Sequence, residues 1–331
     1  MQCEIDILFR VDAGSECGFG HASRCLNLLK LIREKHPNLG MAFQGEFSPK
    51  ARRRILSYEP DLSLFPVELA VHASMVVIDT MSNHLDINAF DYGEALDYQS
   101  RGTKVLAICS GTEAPELAGM IVVGYQPSKV RPKPPNLHWG LEYAPVSPDI
   151  VHDDFLIREP GQVLVALGGH PDDHFLRATL RSMKPVEWID EVHILMSPVM
   201  GSRSSRYSAG KDKKIVLHRD VPSVAPLLGE CELAIVSYGN LAFEGLALGT
   251  PLCIVGQKGF QRELARRLDE RHLAMAAEPT EKMLPGILDE LRNDAQDISR
   301  RARAAVDTKG LLRLADLIIS ERPSALSLLS N

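Results

Sequence analysis

The chain has 331 residues, 45% of them hydrophobic and 24% charged, with a formal net charge of −6 and an isoelectric point near 6.0. That balance excludes a disordered or low-complexity chain, disfavours binding to bulk nucleic acid, and leaves room for two domains of ordinary size. No apolar run approaches the ~20 residues that span a bilayer, no secretory signal opens the chain, and the six cysteines form no C-x-x-C pair, so a reduced, cytoplasmic protein is expected.

The first apolar run, Ile5–Val11, feeds a turn reading Gly14-Ser-Glu-Cys17-Gly18-Phe-Gly20, which delivers His21 to the start of a helix over 22–35. In an open parallel sheet, ligands bind where a strand hands over to a helix. A helix N-terminus favours anions and a neutral imidazole, because its partial positive charge repels a second one. His21 is therefore expected to be a neutral general base beside an anion-friendly pocket. Asp12 would either orient that imidazole or shape the glycine turn.

Further apolar runs at Met41–Gln44, 75–78, 105–108 and Met120–Val123 alternate with helical stretches such as 87–100. Such alternation implies a parallel sheet with right-handed crossovers. Lys50-Ala-Arg52-Arg53-Arg54 reads as the solvated face of a helix. Residues 126–135 carry repeated prolines, which remove donors and fix φ, so the sheet ends there. The expected domains are 1–145 and 146–331. His138 to Tyr143 is expected to pack at the hinge.

A second series of strands follows at 163–167, Glu191–Met196, 214–217, 233–236 and Leu252–Val255, with helices over 172–183, 241–248 and 261–270. The first of these strands ends on Gly168-Gly169. His170-Pro-Asp172-Asp173-His174 reads as a loop and helix cap rather than a metal site, because the proline and the absence of distal ligands argue against one. Residues 203–214, rich in arginine, lysine and serine, read as a surface loop. Ser237-Tyr238-Gly239-Asn240 leads from a strand into a helix carrying Glu244, and Gly249-Thr-Pro251 closes that helix. A last apolar helix is expected over about 311–320.

Two of these stretches carry a resemblance. Arg10-x-Asp12-x5-Gly18-x-Gly20-His21-x2-Arg24-Cys25-Leu26 resembles the opening of the UDP-sugar hydrolases of the pseudaminic acid pathway and of their relatives in spore-coat polysaccharide synthesis. Residues 237–251 are similar to the UDP-binding stretch of the same family and of the wider group that contains the lipid II-forming glycosyltransferase. The resemblance implies an α/β protein of GT-B architecture, two Rossmann-like αβα domains facing a cleft, with the last helix packing back on the first. It implies binding of a UDP-sugar at Gly18, Gly20, Gly168, Gly169, Gly239, Asn240 and Glu244. Gln261 sits at the spacing of the family's Asn-Gln pair. Glu244 would hold the ribose hydroxyls, and His21 would act as base from across the cleft, with Asp12 in support. No metal or other cofactor, no nucleic acid and no membrane span are expected, and the protein would be a monomer or weak dimer.

The chain also departs from the family. Asp79-Thr80-Met81 lacks the tyrosine of an Asp-x-Tyr element, and Cys109-Ser110 stands where paired aspartates are usual. Tyr238-Gly239 replaces Gly-Gly, and Phe260 replaces the asparagine of Asn-Gln. The reaction expected is hydrolysis of a UDP-linked (di)acetamido sugar in surface-glycan or nonulosonic acid biosynthesis; the alternatives are glycosyl transfer from a UDP-sugar and sugar-nucleotide binding without catalysis.

Overall fold

A computed structural model describes residues 5–14, 17–80, 92–108, 120–123, 137–151, 157–168, 173–196, 207–257 and 259–323. Gly169, His170, Asp172, Met81, Cys109, Ser110 and the side chain of Phe260 lie outside the described residues, as do residues 203–206 of the basic loop. The chain groups into two compact units, Met1–Ala144 with Lys309–Asn331, and Pro145–Thr308.

The first unit is built on a parallel sheet of β1 (Ile5–Val11), β2 (Met41–Gln44), β3 (Ser63–Phe65), β4 (Ala73–Asp79), β5 (Lys104–Ile108), β6 (Met120–Val123) and β7 (Leu137–Trp139). Their spatial order is β3-β2-β1-β4-β5-β6-β7. Ile7, Leu8, Phe9 and Val11 are all fully buried, as a strand covered on both faces requires. The order reverses between β1 and β4, where Val11 lies opposite Asp79. Helix α1 (Gly20–Lys35) buries Ala22, Cys25, Leu26, Leu28, Leu29 and Ile32, an apolar stripe of helical period. Helix α2 (Pro49–Tyr58) starts at Ser48, whose Oγ accepts the Ala51 N–H at 3.3 Å, with proline in its first turn. Helix α3 (Tyr92–Ser100) precedes β5.

The second unit repeats the plan. Its strands are β8 (Glu159–Ala166), β9 (Glu191–Met196), β10 (Lys214–Arg219), β11 (Cys231–Val236), β12 (Leu252–Val255) and β13 (Met275–Ala277), in the order β10-β9-β8-β11-β12-β13 and all parallel. The order reverses between β8 and β11. Helices α4 (Asp173–Ser182), α5 (Ala225–Glu230), α6 (Asn240–Leu248), α7 (Gly259–Asp269), α8 (Leu284–Asn293) and α9 (Ala295–Ala305) complete the layers. Helix α6 ends on Gly249 at φ 66°, a left-handed cap that only glycine adopts without strain. The carbonyls left open at the ends of α5 and α6 are met by Arg158. Its guanidinium donates to Leu228, Gly229 and Leu248 at 3.0–3.3 Å. Burial there, with Arg303 nearby, lowers the guanidinium to about 10.

The last described helix, α10 (Gly310–Glu321), returns to the first unit and packs on α1. It buries Leu311, Leu314, Ala315 and Ile318. Lys35 pairs with Asp316 at 2.6 Å and Arg322 with Asp6 at 2.7 Å. A Cβ on Gly310 would lie 2.0 Å from the Ala144 carbonyl oxygen, so the helix can start there only on glycine.

Candidate active site

In each unit a group of the residues singled out by sequence, Gly18, Gly20 and His21 in the first and Gly168, Gly239 and Asn240 in the second, follows the strands at which the order reverses. An open α/β sheet forms its ligand crevice at such points, because adjacent connections leave on opposite faces.

In the first unit, the loop after β1 closes on itself. Gly14 and Gly18 exchange two backbone hydrogen bonds, 2.9 and 3.1 Å long, and Gly18 takes φ 76°. Gly20 is the first residue of α1, so His21 is the second. His21, Arg24 and Cys25 lie at i, i+3 and i+4 and share one face of the helix. That face meets the C-terminal end of β4, where the Asp79 carboxylate has no exposure to solvent. His21 Nδ1 lies 2.7 Å from Asp79 Oδ1. Arg24 grips the same carboxylate with Nε at 2.6 Å from Oδ2 and Nη2 at 2.5 Å from Oδ1. The Cys25 thiol lies 3.6 Å from Oδ2. Burial alone would raise the Asp79 carboxyl, but Arg24 and His21 outweigh it and hold it below the usual carboxylate range. Burial and the neighbouring Asp79 charge push the Cys25 thiol well up, so it stays a thiol.

An ionised carboxylate only accepts. The proton on the contact therefore sits on His21 Nδ1, and in the neutral ring Nε2 carries the lone pair. This is the tautomer that a general base needs.

Asp12 stands elsewhere. Its Oδ1 accepts from Arg10 Nη1 at 2.5 Å and from the Glu46 N–H at 2.8 Å. Arg10 also donates from Nε to Glu94 at 2.6 Å. Asp12 thus braces the strand ends of β1 and β2, and the carboxylate on the imidazole is Asp79 rather than Asp12. Asp79 is the residue that local sequence reasoning misses. Its signal is a carboxylate closing an otherwise apolar buried run, Met75-Val-Val-Ile-Asp79, which must find a cation or several donors inside.

In the second unit, Gly168 follows β8 at φ 86°. A Cβ there would come 3.1 Å from Ser237 Oγ, at the end of β11. Gly239 is the N-cap of α6 and no side chain caps the helix. A Cβ built on Gly239 meets nothing within 4 Å. The start of α6 thus opens onto space beside Gly168 and Ser237, an arrangement suited to an anion. Asn240 is the first helical residue. Glu244 lies one turn further on, half-buried. Burial pushes its carboxyl up to about 7, against a hydrogen bond from the Ser147 backbone and with the Asp149 charge adding to the rise.

Gln261 lies on α7, after β12. Its Oε1 accepts the Gln257 N–H at 3.0 Å, and Gln257 Nε2 donates to the Leu167 carbonyl at 3.2 Å. Gln261 therefore steadies the loop that holds the residue before Gly168. Tyr238 is buried and meets Phe243 edge-on at 5.5 Å. In the first unit, His138 and Tyr143 pair with each other, Nδ1 to hydroxyl at 3.2 Å.

Among the described residues, no group of three or more His, Cys, Asp or Glu is arranged to hold a metal ion. Asp173 receives Arg177 and the Tyr207 hydroxyl at 2.7 and 3.1 Å. No described helix is long and apolar enough to cross a membrane.

Comparison with known proteins gives a fold and little sequence likeness. No family model matches the chain. An uncharacterized protein of Methanocaldococcus jannaschii, MJ1062, is 25% identical over 126 residues, a match spanning 35% of this chain and 26% of that protein. Among solved structures, MurG of Acinetobacter baumannii superposes with a TM-score of 0.63 at 13% identity, covering 95% of this chain and 99% of that one. The spinosyn rhamnosyltransferase SpnG in complex with thymidine diphosphate gives 0.59 at 11% identity, over 94% and 100% of the two chains. A Listeria monocytogenes protein described as a UDP-N-acetylglucosamine 2-epimerase gives 0.58 at 11% identity, over 98% and 99%. The chain has the fold of the GT-B glycosyltransferases.

Proposed function

We propose that this protein is a sugar-nucleotide enzyme that transfers a glycosyl group from a UDP-sugar to an acceptor hydroxyl. The observation that carries the reading is the His21–Asp79 contact at 2.7 Å, which presents a free imidazole Nε2 at the switch point of the first sheet. A nucleotide site on the second unit supplies the rest. The diphosphate sits over the start of α6 at Gly239 and Asn240, beside Gly168 and, in the sequence reading, Gly169. Glu244 accepts from the ribose hydroxyls. Fold neighbours described as acting on a UDP-sugar or holding thymidine diphosphate support a pyrimidine nucleotide.

The reaction then balances simply. Nε2 takes the proton of the acceptor hydroxyl, whose oxygen bonds to the anomeric carbon. The bond from that carbon to the diphosphate oxygen breaks, and UDP leaves with the electron pair. Backbone N–H groups at the start of α6 stabilise the charge growing on the diphosphate. Asp79 holds the imidazole in the accepting tautomer until the transfer and then stabilises the proton it has acquired.

Hydrolysis is the second reading, favoured by the register of Arg10, Asp12, Gly18, Gly20, His21 and Arg24 with the UDP-sugar hydrolases. It uses the same groups with water as acceptor. Incubating the protein with UDP-N-acetylhexosamines, with and without acceptor alcohols, and identifying the sugar product separates the two. Release of UDP that requires an acceptor and yields a glycoside supports transfer. Free sugar at the same rate with or without acceptor supports hydrolysis, and no UDP binding by calorimetry would sink both.

A further inference from the structure

Arg24 has no role in the chemistry described above, yet it makes the closest contacts in the site. Its guanidinium takes both oxygens of Asp79, at 2.6 and 2.5 Å, in the forked geometry that arginine forms with a carboxylate. Oδ1 is thereby shared by two donors, Arg24 Nη2 and His21 Nδ1, which stand 3.2 Å apart. Nδ1 already carries a proton and cannot accept from Nη2, so two N–H groups point at one oxygen.

This sharing has an electrostatic consequence. A buried carboxylate facing an imidazole alone favours the imidazolium, because the two charges cancel. Here the carboxylate is already cancelled by Arg24. Protonating His21 would leave the trio with one net positive charge, beside the positive end of α1. On β1, Val11 lies opposite Asp79, and on β5 Ala107 lies opposite the preceding Ile78. On α1 the Cys25 thiol that faces Oδ2 is neutral, and on α3 Glu94 is engaged by Arg10.

We propose that Arg24 is a positioning residue that sets the charge balance of the base: it lets His21 be oriented by a buried carboxylate without being held as imidazolium. The base then takes a proton only as one arrives from an acceptor. The proposal deepens the catalytic reading of His21 and rests on it for its meaning, but its physical content is a property of the free protein.

The test uses the free protein. The ring C–H signals of His21, assigned through the one lost in His21→Asn, are followed by NMR as pH is varied in wild type, Arg24→Gln and Arg24→Lys. Glutamine keeps a donor for Asp79 and removes the charge, whereas lysine keeps the charge and loses the fork. The expected result is a titration midpoint moved to higher pH by about one unit or more in Arg24→Gln, and little moved in Arg24→Lys. The double variant Arg24→Gln/Asp79→Asn, neutral like the native pair, returns the midpoint to the wild-type range and remains informative if the single variant folds poorly. An unmoved midpoint in folded Arg24→Gln, equal shifts in the glutamine and lysine variants, or no return in the double variant would each overturn the proposal. Absence of any turnover with UDP-sugars would sink the catalytic reading and leave these titrations unchanged, so the two failures are distinguishable.

Discussion

Asp79 and Glu244 are both carboxyls drawn out of water, and their surroundings drive them in opposite directions. Asp79 is met by a guanidinium and an imidazole and stays ionised. Glu244 has a single backbone donor and a neighbouring carboxylate, and burial lifts it to about 7. A carboxyl raised on folding lends stability below its unfolded range and withdraws it as pH rises through about 7. Glu244→Gln should therefore gain stability relative to wild type between pH 5 and pH 8, read as the difference in Tm. Ribose hydroxyls donate and so favour the ionised form. Affinity for a UDP-sugar should then rise as pH increases from about 6 to about 8, with protons released on binding near neutrality, and Glu244→Gln should flatten that dependence. Glu244→Ala removes the acceptor and should weaken binding by on the order of 1.5–3 kcal/mol, about tenfold to a hundredfold. Calorimetry in two buffers of different ionisation enthalpy reads both effects. At this scale His21 and Glu244 are legible in the sequence, because each sits in a local pattern, a glycine turn or a helix start. The partnership of His21 with Asp79 is not, since 58 residues separate them and only the adjacency of β1 and β4 brings them together.

At the level of elements, the switch points do the placing. Strands β1, β4, β8 and β11 read as apolar runs because both their faces are covered. The three-residue strands β3, β7 and β13 escape a sequence reading: a segment so short has neither period nor sustained apolarity, and it pairs only because a neighbouring strand offers a template. Two glycines at strand-to-helix handovers separate folding from ligand contact. A Cβ on Gly45 would lie 1.8 Å from the Val11 carbonyl oxygen, so Gly45→Ala must push apart the ends of β1 and β2. Its Tm should fall by more than about 5 °C. Gly239 has extended backbone at φ 162° and open space at its Cβ position. Gly239→Ala should keep Tm within about 2 °C of wild type yet weaken UDP at least about tenfold, since its methyl would stand where a phosphate meets the helix N-terminus. Thermal melts and calorimetry on both variants check the contrast.

For the whole molecule, the chain builds two parallel-sheet units and closes the first of them with its last described helix. Apolar residues at helical spacing over 311–320 mark that helix in the sequence, but its docking on α1 rests on long-range pairs such as Lys35–Asp316 and Arg322–Asp6, which no local pattern announces. Leu314 is 1% exposed in that seam. Leu314→Ala should cost about 2–5 kcal/mol. Hydrogen exchange should show the loss in α1 and β1 and spare β8 and β11, because this helix belongs to the first unit. Fold likeness at 11–13% identity to proteins of differing activity carries the architecture and not the reaction.

The proposed role of His21, on the reacting atoms and not in holding the nucleotide, is tested by His21→Asn, comparing UDP-sugar turnover with UDP affinity and Tm. Turnover should fall by about a hundredfold or more, with UDP affinity and Tm close to wild type. A His21→Asn protein that keeps most of its turnover would contradict it, because asparagine can still cap the turn but cannot take a proton.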